Sequence, residues 1–292
     1  MANLKEIRNR IVSVNSTKQI TSAMKMVSAA KLRKAQDAVV QMRPYSNKMQ
    51  EIISNISAGL DSMDGAFSDQ RTVENVLIVG ITSNRGLCGG FNNNVIKSAI
   101  KLAETTYKDC NVTVLPIGKK FKDAVKKTNF TLSPIFKADT EKIWDDLTFE
   151  NTSAIANEIM NLFIDKKIDK VVLVYNQFKN AAVQILQNEQ FLPVLPPEVN
   201  ETSSSTTVDY IYEPEKKAIL DELIPKSLKT QLFKALLDSM ASEHGARMTA
   251  MHKATDNATD LINDLKLVYN KARQASITNE ILEIVAGAES LK

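Results

Sequence analysis

The chain is poor in the residues that most often carry chemistry. Its 292 residues include only two cysteines, Cys88 and Cys110, and two histidines, His244 and His252. The cysteines lack metal-like spacing, so neither a disulfide framework nor a zinc site is expected. The histidines stand eight residues apart on one expected helix, without companion cysteines or clustered acids, and no metal is expected there either. No apolar run approaches the ~20 residues that span a bilayer. The chain starts directly in helical sequence, with neither the apolar core of a secretory signal nor a serine-rich transit segment. The expectation is a protein soluble where it is made, in a reducing compartment. Proline and glycine are scarce too, and no proline follows Pro225. The 67 residues from Pro225 to Leu291 therefore hold almost nothing that breaks a helix.

That stretch predicts one long helix starting at Pro225, where proline is tolerated in a first turn. From Phe233 the positions Leu237, Met240, His244, Arg247, Met251, Ala254, Ala258, Leu261, Leu265, Val268, Ala272, Ala275, Asn279, Leu282 and Ala286 follow at alternating steps of four and three. This is a coiled-coil seam. At about 1.5 Å rise per residue it predicts a rod on the order of 90 Å long that projects from a globular body. Alanine at 254, 258, 272 and 275 leaves little area to bury. His244, Arg247 and Asn279 are polar, and the plain account sets them at the seam's edge. Together these features point to a rod whose surface serves a larger surround.

Residues 3 to about 58 predict a second long helix, capped by Asn3, with Ile7, Ile11, Val14, Ile20, Met24, Val27, Met42, Met49, Ile53 and Ile56 at spacings near three or four. Pro44 predicts a kink or break near Arg43. The two rods are expected to pair antiparallel in a left-handed coil, with 1–58 and 211–292 forming the coil and 75–210 a globular domain. Residues 1–48 carry ten basic side chains against Glu6 and Asp37, a formal +8. A basic helix suits nucleic acid, an anionic membrane or an acidic protein partner, and sign alone does not choose.

Between the rods the period changes. Asn75–Thr82, Asn111–Gly118 and Lys170–Asn176 read as buried parallel strands. Asn94–Tyr107, Lys119–Lys127 and Phe149–Lys167 read as helices, with one or two further strands in 181–195. Alternation of strand and helix predicts a Rossmann-like α/β domain with a mainly parallel sheet. Ser83–Asn93 (SNRGLCGGFNN) is a glycine-rich turn where such folds cradle phosphate. It matches neither GxGxxG nor a Walker sequence, so glycines making a tight turn or a close backbone contact are expected instead. Cys88 beside Arg85 has no histidine in its domain to act as base. No catalytic residue and no cofactor are expected. A nucleotide-dependent α/β enzyme with a helical arm, and a coiled-coil adaptor that binds nucleic acid, remain the alternatives to a mechanical or adhesive role.

Four segments carry a resemblance: IRNRIVSVNSTKQITSAMKMVSAAKLRKAQ (Ile7–Gln36), SNRGLCGGFN (Ser83–Asn92), SEHGARMTAMHKATDNA (Ser242–Ala258) and YNKARQASITNEILEIVAGAE (Tyr269–Glu289). In order and spacing the chain resembles the gamma chains of the F-type ATP synthase over its full length. The resemblance implies a non-catalytic central stalk that carries torque between a proton-driven c-ring and the catalytic beta chains. Its implied partners are the alpha and beta chains, the epsilon chain and the c-ring, with no nucleic acid. Its implied place is peripheral, on the cytoplasmic face of the bacterial inner membrane. It further implies that Met24, Lys25, Arg247, Arg273, Gln274 and Thr278 contact beta-chain loops. Tyr210 and Glu213 are implied at the foot near the c-ring and epsilon, and Ile281, Leu282, Ile284 and Val285 form an apolar bearing tip. Three departures stand out. Lys18 precedes Gln19 where the family usually has the reverse order, and Gly245 replaces a common alanine, at about 1 kcal/mol if exposed. Pro196–Thr207 lacks the cysteine pair of thiol-regulated chloroplast members.

Overall fold

The computed structural model describes residues 4–57, 66–128, 130–132, 140–194 and 216–290. Asn3, Tyr210, Glu213 and the Pro196–Thr207 loop lie outside the described residues. The chain divides into two compact units, one of Met1–Ala29 with Arg247–Lys292, the other Ala30–Ala246.

Two helices cross from one unit to the other: α1 (Leu4–Ser57) and α5 (Lys216–Glu289). Both contain a proline that the sequence reading treats as a boundary. Pro44 does not break α1, and Pro225 does not begin α5 but lies inside it. Each proline removes one backbone donor and crowds the carbonyl four residues back. For Pro44 that carbonyl belongs to Val40 and for Pro225 to Asp221, both on exposed residues open to solvent. The turns on either side of Pro225 are drawn in by Leu220, Ile224, Leu228 and Leu232, a buried stripe at steps of four. Burying two large side chains ahead of the proline, at roughly 1.5–3 kcal/mol each, offsets its cost of about 3 kcal/mol. A Glu222–Lys226 ion pair of 2.6 Å also spans the proline.

The unit of residues 30–246 is built on a five-stranded sheet of order β3-β2-β1-β4-β5. Its strands are β1 (Asn75–Ile81), β2 (Asn111–Ile117), β3 (Thr131–Leu132), β4 (Lys170–Phe178) and β5 (Gln184–Leu192). β1, β2, β3 and β4 run parallel, while β5 returns antiparallel on β4. The two-residue β3 escapes sequence reading because two residues show no period. Residues 181–195 yield one strand rather than two.

Side chains alternate across the sheet. Leu77, Val79, Ile81, Leu115, Ile117, Val171, Leu173 and Tyr175 share one core with α4 (Phe149–Ile164), the end of α1 and the start of α5. Val76, Ile78, Val114, Val172 and Val174 face the other way, onto α2 (Phe91–Lys101) and α3 (Lys119–Val125). Burial on both faces is why these strands read as continuous apolar runs. Past α2 the helix widens into a single π-turn, Leu102–Thr106. Thr148 caps α4 by accepting from the Asn151 N–H at 3.2 Å.

Gly245 is not an exposed weakness in α5. A Cβ there would stand 3.2 Å from Ala181 Cα and 3.3 Å from its carbonyl oxygen, with the Phe178 ring at 3.5 Å. The missing side chain lets α5 approach the β4–β5 turn backbone to backbone.

Candidate interaction surfaces

In the unit of residues 1–29 and 247–292, the two helices run antiparallel. The Thr21 and Thr255 hydroxyls meet at 2.9 Å, which sets Leu4 opposite Ala272 and fixes the register. The side chains turned inward on α1 are Leu4, Ile7, Ile11, Val14, Lys18, Thr21, Lys25 and Ser28, at steps of three and four. On α5 they are Met251, Thr255, Ala258, Ile262, Leu265, Tyr269, Ala272 and Ser276.

This seam differs from the one the sequence suggests. Positions 251, 258, 265 and 272 coincide, but every alternate position is displaced by one residue. Ile262 is 7% exposed where Leu261 is 39% exposed, and Val268 and Ala275 face outward. On α1, Ile20 and Val27 are 60% and 58% exposed, while Thr21 and Ser28 are buried. Both stripes satisfy heptad spacing, and the Thr21–Thr255 hydrogen bond belongs to only one of them. Small and polar residues (Lys18, Thr21, Lys25, Ser28, Thr255, Ala258, Ala272 and Ser276) thus share the seam with Ile7, Ile11, Val14, Met251, Ile262 and Leu265, while Val12, Ile20, Met26, Val27, Leu267 and Val268 are presented to the outside. So many large apolar side chains on the outer face are unusual for a coil in water.

The implied site residues fall in different surroundings. Met24 and Lys25 are half-buried, and Arg273, Gln274 and Thr278 are exposed. The Thr278 hydroxyl donates to the Gln274 carbonyl at 2.9 Å. Arg247 is only 7% exposed and His244 8%. Both are buried rather than set at a solvated edge, whereas Asn279 is exposed. From Ile277 onward every described residue of α5 is exposed, beyond the register point opposite Leu4. Ile281, Leu282, Ile284 and Val285 lie in that single-helix segment. His252 is exposed beside Asp256, Nδ1 to Oδ2 3.2 Å. Among the described residues no cluster of His, Cys, Asp and Glu could hold a metal ion, and no helix is long and apolar enough to cross a membrane.

The glycine-rich turn sits at the carboxyl ends of the strands, where open α/β sheets take ligands. Here its polar groups are used internally. The Ser83 backbone N–H donates to Asn92 Oδ1 at 3.0 Å, and Asn92 Nδ2 reaches Ser83 Oγ at 2.9 Å and Cys88 Sγ at 3.2 Å. The Ser83 hydroxyl also donates to the Arg85 carbonyl at 2.6 Å. Gly89 has φ +59° and Leu87 +63°, the left-handed conformations that turn the loop back on itself. Asn176 at the end of β4 donates to the Phe91 carbonyl at 3.1 Å, and Ser242 of α5 donates to the Asn176 carbonyl at 3.0 Å. A Cβ on Gly118 would overlap the Thr82 carbonyl. The loop is bonded within itself and, at the Phe91 carbonyl, to β4, which α5 holds in turn through Ser242; it is the tight turn that its composition predicts.

A family model described as ATP synthase matches residues 3–291. The chain is 61% identical over 292 residues to the ATP synthase gamma chain of Christiangramia forsetii, covering all of this chain and 99% of that protein. It is 60% identical to the ATP synthase gamma chain of Flavobacterium johnsoniae, with the same coverage. Among solved structures it resembles a chain of the Euglena gracilis mitochondrial ATP synthase, OSCP/F1/c-ring, rotational state 3. That match has TM-score 0.65 and 22% identity, and covers 99% of this chain and 94% of that one. A chain of the rotor of the same synthase matches with TM-score 0.61 over 94% of this chain and 98% of that one. By a match that runs through both long helices and the sheet between them, the chain belongs to the ATP synthase gamma chain family.

Proposed function

We propose that the chain is a non-catalytic rotor shaft, which carries torque between a proton-driven c-ring and the beta chains of the catalytic head. One observation carries this reading: besides its packed seam, the helical pair turns Val12, Ile20, Met26, Val27, Leu267 and Val268 to the outside. A coil with that much apolar surface left exposed gains further by being surrounded. Two antiparallel helices have no threefold axis, so each chain of a surrounding ring meets a different face. Differential contact with those faces biases each site toward a different affinity state.

In this reading the basic face of α1 meets acidic loops of the beta chains, with Met24 and Lys25 reaching them from half-buried places at the border of the seam. Arg273, Gln274 and Thr278 contact beta-chain loops directly, and Arg247 acts from its buried place when the coil and its surround adjust. Ile281, Leu282, Ile284 and Val285 turn in an apolar sleeve, where non-directional contact lets the shaft rotate without breaking hydrogen bonds. Tyr210 and Glu213 stand near the c-ring and epsilon. The assembly keeps the chain peripheral, on the cytoplasmic face of the bacterial inner membrane, with alpha, beta, epsilon and the c-ring as partners and no nucleic acid. The internal bonding of the Ser83–Asn92 turn supports a structural role there rather than nucleotide binding.

Reconstitution tests the proposal. Arg273→Glu in the assembled complex lowers proton-driven ATP synthesis in vesicles while leaving the thermal unfolding of the isolated chain in place. Undiminished synthesis would remove Arg273 from the contact. Appreciable ATP hydrolysis by the purified chain alone would overturn the non-catalytic assignment.

A further inference from the structure

The unit of residues 30–246 contains a carboxylate that the rotor role does not use. Asp238 of α5 is fully buried, and neither of its oxygens makes a close hydrogen bond among the described residues, the Phe178 peptide acting on it only from longer range. An ionised carboxylate in that position is costly unless a counter-charge stands close. The one ion pair it makes there is with Arg43 of α1, Nη2 to Oδ1 3.8 Å, and the same Nη2 donates to the Phe178 carbonyl of β4 at 3.2 Å. Arg43 thus bridges three elements. It stands next to Pro44, whose missing N–H leaves the Val40 carbonyl without its helical donor. This turn of α1 is held by one bond fewer than its neighbours, so an external tie counts for more.

We propose that Asp238 and Arg43 form a proton-operated clasp: the carboxylate holds the α1 turn at Arg43–Pro44 against α5, and the neutral acid leaves that turn only the Arg43–Phe178 hydrogen bond to β4.

The surrounding charges set where the clasp operates. Burial pushes the Asp238 carboxyl up to about 6. Arg43, Lys234 one turn earlier on α5 and the Phe178 peptide pull it back down, and Glu189 of β5 pushes it up. Glu189 is fixed there, accepting from the Tyr175 hydroxyl and from Gln231 Nε2, each at 2.7 Å. Two pH effects of opposite sign follow. A carboxyl raised by folding stabilises the fold fully below the ordinary value of 3.8, and that contribution is lost as pH rises through about 6. The clasp closes over the same rise. Global stability contributed by Asp238 therefore falls with pH while local protection at the Arg43 turn increases.

Hydrogen exchange on the full chain, corrected for intrinsic rates and read at residues 41–48, separates the two. Wild type is expected to exchange there at least about threefold more slowly at about pH 7.5 than at about pH 5. Asp238→Asn and Arg43→Gln are each expected to abolish the difference, while α4 amides stay protected in both. A flat profile in wild type, or a pH difference that survives in either variant, overturns the clasp. Should Asp238→Asn fail to fold, Arg43→Gln decides alone, since its half-exposed side chain is removable without opening the core.

Discussion

Exchanging Ile262 and Leu261 for alanine, one at a time, distinguishes the observed seam from the one that heptad counting favours. Ile262 is 7% exposed and packs between the helices, whereas Leu261, its chain neighbour, is 39% exposed. Truncating a buried isoleucine costs roughly 2–5 kcal/mol. A two-helix seam encloses each side chain from fewer directions than a domain core, so the low end, about 2 kcal/mol, applies. Leu261 already meets water, and its loss costs less than about 1 kcal/mol in the isolated chain. The assay is native-state hydrogen exchange read over residues 251–276, because a chain of two units need not unfold in one step. At about 1.4 kcal/mol per factor of ten, Ile262→Ala accelerates exchange there ~30-fold. Leu261→Ala accelerates it by less than about fivefold. Should Leu261→Ala accelerate exchange as much as Ile262→Ala, the seam assigned here is wrong. In the assembled complex the order reverses if outward apolar residues meet a surround: Leu261→Ala then lowers coupled synthesis at little cost to the coil.

Other outcomes follow from the same geometry. Gly245→Ala lowers the melting temperature of the sheet-bearing unit, because the new methyl meets the Ala181 backbone rather than a flexible side chain. Gly287→Ala, with nothing within 4 Å of its Cβ position, raises local helix protection by up to about 1 kcal/mol. Calorimetry and exchange check the pair, and equal effects would contradict the packing described. Thr21→Val costs about 1 kcal/mol by removing the interhelical hydroxyl contact, while the Thr255 hydroxyl keeps its bond to the Met251 carbonyl at 2.8 Å, and Thr255→Val costs less in that background than in the wild type. A double-mutant cycle showing strict additivity would deny the hydroxyl pair a role in register. Asn92→Ala frees Cys88 and Ser83 from their shared partner and speeds thiol labelling of Cys88. An unchanged labelling rate would mean the turn holds without it.

The sequence by itself determined the larger parts. Unbroken apolar periodicity with few glycines and prolines specified two long terminal helices. Continuous runs such as NVLIVGI and KVVLVYN specified strands buried on both faces. The Ser83–Asn92 segment, read against both nucleotide motifs, was legible as a turn, because phosphate cradles need glycine spacings that it lacks. The remaining features depended on contacts between residues far apart in the chain. Which of two heptad-compatible stripes faces inward is visible only in contacts between the helices, such as the hydroxyl pair Thr21–Thr255, 234 residues apart. Whether Pro44 and Pro225 end their helices was decided by what flanking turns bury, since a local penalty of about 3 kcal/mol yields to sufficient nonlocal packing. His244 and Arg247, which the sequence sets at the edge of the seam, and Asp238, which no motif or period singles out, are buried in the structure. Gly245 looks like a defect and is a close contact. Local sequence states what a segment prefers, and burial is a property of whatever the fold sets beside it.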